Sequence, residues 1–143
     1  AYVNSGKYDA PAIVVSDIDM TGYEYTPIAS TGLHYSADPV EDSEWGYKGN
    51  FDGQGHVISN LTLTGSSSQD LSFGLFGTVS GTIKNIGLEN FKYTGAGKDS
   101  RVGAVAGQIL SGGKIIDCYV KNCDINTKVN TTNGVAGGIA EFF

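Results

Sequence analysis

Ile83-Lys84-Asn85-Ile86-Gly87-Leu88 reads apolar, any, Asn, apolar, any, apolar. The pattern recurs at Ile58-Ser59-Asn60-Leu61-Thr62-Leu63 and, with Asp in the third place, at Ile115-Ile116-Asp117-Cys118-Tyr119-Val120. The first residues of the three copies lie 25 and then 32 positions apart. A short motif returning at such intervals is the mark of stacked repeats.

Two further elements flank each copy. Phe73-Gly74-Leu75-Phe76-Gly77 matches Gly103-Ala104-Val105-Ala106-Gly107, and a third version starts at Gly137-Gly138-Ile139-Ala140 before Glu141 replaces the expected glycine. After the hexads, Glu89-Asn90-Phe91-Lys92-Tyr93 aligns with Lys121-Asn122-Cys123-Asp124-Ile125. Apolar and polar residues alternate with strand period, and no helical period persists over three turns.

One such unit cannot fold alone. Its handful of inward side chains stabilises by about 1.5–3 kcal/mol each, against about 1–2 kcal/mol per residue of backbone ordering. Stacking lets each strand bond above and below and buries like residues against like. The expected fold is therefore all-β: a right-handed parallel β-helix, or solenoid, of about four coils with an irregular N-terminal capping coil. A β-sandwich also uses many short strands, but it needs neither near-copies of one motif nor a recurring Asn corner.

The expected ladders are Leu61, Ile86 and Cys118; Leu63, Leu88 and Val120; Phe91 over Cys123; and Tyr93 over Ile125. Asn60, Asn85 and Asp117 are assigned to one corner, since Asn tolerates left-handed backbone. Gly74, Gly77, Gly103 and Gly107 are assigned to close approach or positive φ. Residues 1–143 form one domain in this reading. Capping coils occupy 1–50, repeats 51–140, and loops 65–72, 95–101 and 126–133. Residues 141–143 read as vector-derived, because Glu-Phe is what an EcoRI site encodes. The last coil is left unfinished, with an open strand edge, so end-to-end self-association or further domains of a larger parent protein are the expected partners.

Gly74-Leu75-Phe76-Gly77 followed by Gly81-Thr82-Ile83-Lys84-Asn85-Ile86-Gly87-Leu88 resembles the repeat of GLUG-motif proteins. Ser16-Asp17-Ile18-Asp19-Met20-Thr21-Gly22 with Thr26-Pro27-Ile28, and Tyr47-Lys48-Gly49-Asn50-Phe51-Asp52-Gly53-Gln54-Gly55-His56, resemble the segments that precede such repeats. The resemblance covers roughly residues 13 to 141. It implies a bacterial secreted or cell-surface protein, adhesin-like or akin to the non-catalytic region of immunoglobulin A peptidases. Glu141 departs from the pattern.

Composition narrows the function. The chain carries 9 basic and 15 acidic residues, for a net charge of -6, with no basic cluster. Nucleic acid is excluded as a partner on that ground, and anionic membranes are disfavoured. No apolar run nears the ~20 residues of a spanning helix.

Candidate sites are few. Asp17, Asp19 and Asp52 are the carboxylates suited to acid–base or metal work, but no ligand spacing for calcium surrounds them. They read as framework. His34 and His56 are the only histidines, and with Cys118 and Cys123 they supply no zinc spacing. The two cysteines read as buried thiols; a disulfide between them stays open. No nucleophile elbow or phosphate loop is present. The expectation is no catalytic residue, no metal and no cofactor. A polysaccharide-degrading enzyme, which would need paired carboxylates in a groove, ranks last. The one candidate ligand surface is the acidic, aromatic stretch 36–47, with Trp45, Tyr47, Tyr35 and Glu44 offered to a host protein or glycan. The competing reading packs Trp45 and Tyr47 over the end of the core.

Overall fold

A computed structural model describes residues 4, 7–30, 45–65, 72–95, 101–127, 135–136 and 139–142. Strands account for 53% of the described residues, and no helix is present among them. The strands are β1 Ala12–Ile13, β2 Ile18–Asp19, β3 Asn50–Asp52, β4 Val57–Ser59, β5 Thr62–Gly65, β6 Ser72–Phe73, β7 Phe76–Val79 and β8 Thr82–Lys84. They continue with β9 Gly87–Gly95, β10 Arg101–Val102, β11 Ala106–Ile109, β12 Lys114–Ile116, β13 Tyr119–Thr127, β14 Val135–Ala136 and β15 Ala140–Phe142.

All pairing among these strands is parallel. Four sheets have the orders β1-β3-β8-β12, β14-β10-β6, β15-β11-β7 and β13-β9-β4-β2, with β5 also on β9. Successive rounds of the chain thus return a strand to the same sheets. Phe51 pairs with Ile83 and Ile83 with Ile115. Ile28 and Tyr47 add isolated parallel bridges to Phe76 and Val79.

The interior is apolar because alternate residues of each strand face it. In β9 the pattern runs Leu88 in, Phe91 in, Tyr93 in, with Asn90 and Lys92 out. Ile83, Ile86 and Leu88 are fully buried, as are Phe76 and Val105. Phe51 packs edge-on to Phe76 at 5.0 Å. Only Ser72, Thr78 and Gln108 are buried polar residues among those described, and the Thr78 hydroxyl donates to Ser72 at 3.2 Å.

Corners use left-handed backbone. Asn60, Asn85, Asn90, Asp117 and Asn122 have φ of 60°, 56°, 58°, 53° and 57°. Asn and Asp bear this conformation best among residues with a side chain.

The registers correct part of the expected stacking. Ile86 and Cys118 do share a position, and Leu88 pairs with Val120, Phe91 with Cys123 and Tyr93 with Ile125. The 58–63 copy, however, stacks one corner later than its sequence alignment placed it. Ile58 pairs with Leu88, and Leu63 pairs with Tyr93. Leu61 therefore lies over Phe91, and Asn60 shares its corner with Asn90 and Asn122, not with Asn85 and Asp117. The cause is visible in the chain. Leu88-Glu89-Asn90-Phe91-Lys92-Tyr93 and Val120-Lys121-Asn122-Cys123-Asp124-Ile125 carry the same hexad pattern. In the rounds holding Asn85 and Asn90, and Asp117 and Asn122, two corners pose the same backbone demand and receive the same residue types.

Glycines 74, 77 and 107 serve close approach. A methyl on Gly74 would sit 2.3 Å from the Gly103 carbonyl oxygen, one on Gly77 2.6 Å from that of Ala29, and one on Gly107 2.6 Å from the Phe73 nitrogen. The expected loops fall mostly outside the described residues; their ends Gly65, Ser72, Gly95, Arg101, Asn126 and Thr127 belong to strands. The backbone of Glu141 and Phe142 continues β15, which pairs with β11.

Candidate functional site

The aromatic surface expected around residue 45 is corrected at its centre. Tyr47 is fully buried. Its ring lies 5.0 Å from that of Phe76, its hydroxyl donates to the Ala10 carbonyl at 2.8 Å, and its amide donates to the Thr78 carbonyl. Burial pushes its phenol up to about 12. A side chain so enclosed cannot stack on a ligand. Gly46, at φ 72°, lets the chain turn the ring inward; a methyl there would meet the Thr78 carbonyl oxygen at 2.5 Å. Trp45 stays partly accessible, at 39%, and its carbonyl accepts the Ser80 hydroxyl at 2.7 Å. Tyr35, Glu44 and His34 lie outside the described residues.

The three aspartates form framework contacts along the first corners. Asp17 Oδ1 accepts the Val57 amide at 3.0 Å and faces His56 Nδ1 at 3.1 Å. Asp19 Oδ1 accepts Asn60 Nδ2 at 2.9 Å, Thr21 Oγ1 at 2.6 Å and the Thr21 amide at 2.9 Å. Asp52 Oδ1 accepts the Gln54 amide at 2.8 Å and Asn85 Nδ2 at 3.2 Å. Hydrogen bonds to an ionised carboxylate favour that form. The Asn60 amide, then the Thr21 groups, hold Asp19 down at about 2. The Val57 amide and then His56 lower Asp17, and the Gln54 amide and then Asn85 lower Asp52. Each group is thereby set as a fixed acceptor at neutral pH, unsuited to proton donation.

One feature escaped the sequence reading. The first round opens on an apolar cavity of about 330 Å³. Val14, Met20, Tyr25 and Ile28 line it on one side, and Phe51, Ile58, Leu61 and Leu75 on the other. Ile13, Val15 and Ile18 at its edge are 59%, 74% and 39% exposed. The Tyr25 hydroxyl donates to the Leu75 carbonyl at 2.5 Å, and burial raises its pKa. The signal in the sequence was the run Ile13-Val14-Val15, where strand alternation must leave apolar side chains outside. The cavity offers van der Waals contact and no acid–base pair.

Neither cysteine forms a disulfide. Cys118 is half-buried with its sulfur on the Ile116 carbonyl at 3.4 Å. Cys123, expected to be buried, is exposed, because no described strand covers the outer edge of β13. Among the described residues no group of three or more His, Cys, Asp or Glu could hold a metal ion, and no helix is long and apolar enough to cross a membrane.

No protein-family model matches the chain, and no solved structure does. Among curated proteins, the chain is similar to Halomucin of Haloquadratum walsbyi (strain DSM 16790 / HBSQ001), with 36% identity over 110 residues. That match takes in 75% of this chain but only 1% of Halomucin, so the chain spans a very small part of the length of the relative it matches.

Proposed function

We propose that the chain is a non-catalytic structural or adhesive module of a secreted or cell-surface protein, built as a right-handed parallel β-helix of GLUG-like coils. One observation carries the reading: every described strand lies in a parallel sheet to which successive rounds of the chain contribute. An arrangement of that kind spends the chain on stacking. The aspartates best suited to chemistry are held by amides and backbone of the neighbouring round. The likeness to a short stretch of the much longer Halomucin fits a module used inside a large protein. The test is incubation of the purified chain with a panel of acidic and neutral polysaccharides, read by reducing-end release and by ultraviolet absorbance of unsaturated products. No release is expected. Release that disappears in Asp19→Asn or Asp52→Asn would replace this reading with the enzymatic one.

A binding role keeps one supporting observation, the accessible face of Trp45. A Trp45→Ala chain that matches the parent on a glycan array and in cell-adhesion assays would remove it.

A further inference from the structure

We propose that the outer face of the β2, β4, β9 and β13 sheet, centred on Tyr119, Glu89 and Asp17, is a binding platform for an uncharged sugar ring of a glycan. The inference rests on the adhesive side of the reading above and gives it a ligand class.

Strand alternation builds the platform. Ile58, Leu88 and Val120 share one register position and pack into the core, so the residues on either side of them point outward. Two outward rows result. The first runs Val57, Gly87 and Tyr119, with Asp17 beside Val57. The second runs Asp19, Ser59, Glu89 and Lys121.

Gly87 leaves a gap in the first row, and the Tyr119 side chain fills it. A methyl on Gly87 would overlap Cζ and Cε1 of that ring. The ring therefore leans toward β9 and away from the outer edge of β13, while 46% of Tyr119 stays accessible. An aromatic ring already seated on the sheet loses little freedom when a ligand covers it.

Acceptors flank the ring. The Tyr119 hydroxyl donates to Glu89 Oε1 at 3.5 Å, a contact long enough to yield to a better-placed donor. Asp17 uses Oδ1 for the Val57 amide and for His56 Nδ1. Those contacts fix the carboxylate, yet 72% of its side chain remains exposed. Partial desolvation first, then the charges of Glu89 and Asp17, push the Tyr119 phenol above its ordinary value. Both carboxylates thus act on the same hydroxyl.

These groups select the ligand. Ionised carboxylates only accept, so the ligand must donate. Asp17, Asp19 and Glu89 stand against a single cation in the two rows, Lys121, which disfavours an anionic ligand. Among the described residues no three acidic, thiol or imidazole groups converge to hold one metal ion. The acceptors are spread along the face, and donors spread around an apolar body match them better than a point charge does. A sugar ring has that form, with C–H groups for the aromatic ring and hydroxyls at its rim.

The experiment titrates the full chain by isothermal calorimetry with cellohexaose, xylohexaose and mannohexaose, and in parallel with hexagalacturonate and tetramethylammonium. At least one neutral oligosaccharide is expected to bind. Tyr119→Ala and Glu89→Ala should each weaken it by about fivefold or more, the factor that loss of one ordinary contact implies. Tyr119→Phe keeps the ring and should bind as the parent does. Glu89 lies on the surface, so Glu89→Ala keeps the test valid even if Tyr119→Ala fails to fold. No binding of any neutral hexasaccharide at millimolar concentration would overturn the proposal. Tighter binding of hexagalacturonate or tetramethylammonium than of every neutral sugar would do the same, as would binding that Trp45→Ala loses and Glu89→Ala retains. Reducing ends are read in the same samples. Their release would sink the non-catalytic reading, whereas neither binding nor release would sink the platform alone.

Discussion

Asn90 Nδ2 lies 3.2 Å from Asn60 Oδ1, and both residues hold left-handed backbone, with φ of 58° and 60°. The corner is thus fixed twice, by a conformation few side chains tolerate and by an amide contact to the round below. The two contributions separate by substitution. Asn90→Ala loses both: about 1–2 kcal/mol of left-handed strain and about 0.5–1 kcal/mol for each exposed amide contact. Asn90→Gly keeps the backbone angle at no strain, loses the contacts, and adds some freedom to the unfolded chain. Urea denaturation is expected to find Ala lower than Gly by about 1 kcal/mol; equal midpoints would show that the left-handed strain is no larger than the freedom glycine adds to the unfolded chain.

Acid should act on the start of the rows. Asp17, Asp19 and Asp52 all have folded-state pKa values below the ordinary 3.8. The native chain therefore binds fewer protons than the unfolded one, and their stabilisation is present above about pH 4 and lost as pH falls toward 2, the value Asp19 reaches. Asp19→Asn keeps an acceptor and removes the titration. Its urea midpoint is expected to drop less than the parent's between about pH 5 and 2. Parallel profiles would mean that the Asp19 carboxylate is not tuned by the corner.

Much of the architecture was legible in the residues because stacking writes itself as repetition. The hexads at 83–88 and 115–120 align in space as in sequence. The third was misplaced for a physical reason: a corner needs Asn wherever the chain turns through left-handed backbone, so Asn60 matched Asn85 and Asn90 equally well. The glycines at 74, 77 and 107 were legible as points of close approach. Tyr47 was legible only as one of two readings, ligand surface or packing over the end of the core, and the inward turn at Gly46 that decides between them carries no mark in the sequence. Nor was the cavity, which exists only where rounds 12–30 and 51–75 meet.

The tight turn before His56 distinguishes two uses of glycine. A methyl on Gly53 would lie 2.3 Å from the Asn85 carbonyl oxygen and 2.7 Å from Ile86 Cβ, both fixed in the next round. Gly55 has φ of 80° and open space around it. Gly53→Ala is expected to destabilise by about 3 kcal/mol or more through overpacking, and Gly55→Ala by about 1–2 kcal/mol through strain alone. Thermal denaturation of the two variants checks the order, and a reversed order would misplace the contact between these rounds.

Tyr47 and Trp45 are two residues apart and should respond to very different extents. Tyr47→Phe strands the Ala10 carbonyl, a loss of about 1–2 kcal/mol. Tyr47→Ala empties the space beside Phe76, a loss of about 3–5 kcal/mol, close to the whole stability of a small domain. Trp45 is 39% exposed, and Trp45→Ala should cost less than about 1 kcal/mol. Circular dichroism melts read all three. If Tyr47→Ala melted like the parent, the ring would not be a core element and a ligand-facing Tyr47 would return. Its hydroxyl at 2.8 Å from a backbone oxygen and its ring at 5.0 Å from Phe76 argue for the first outcome. Both contacts are lost together in Tyr47→Ala, while only the first is lost in Tyr47→Phe.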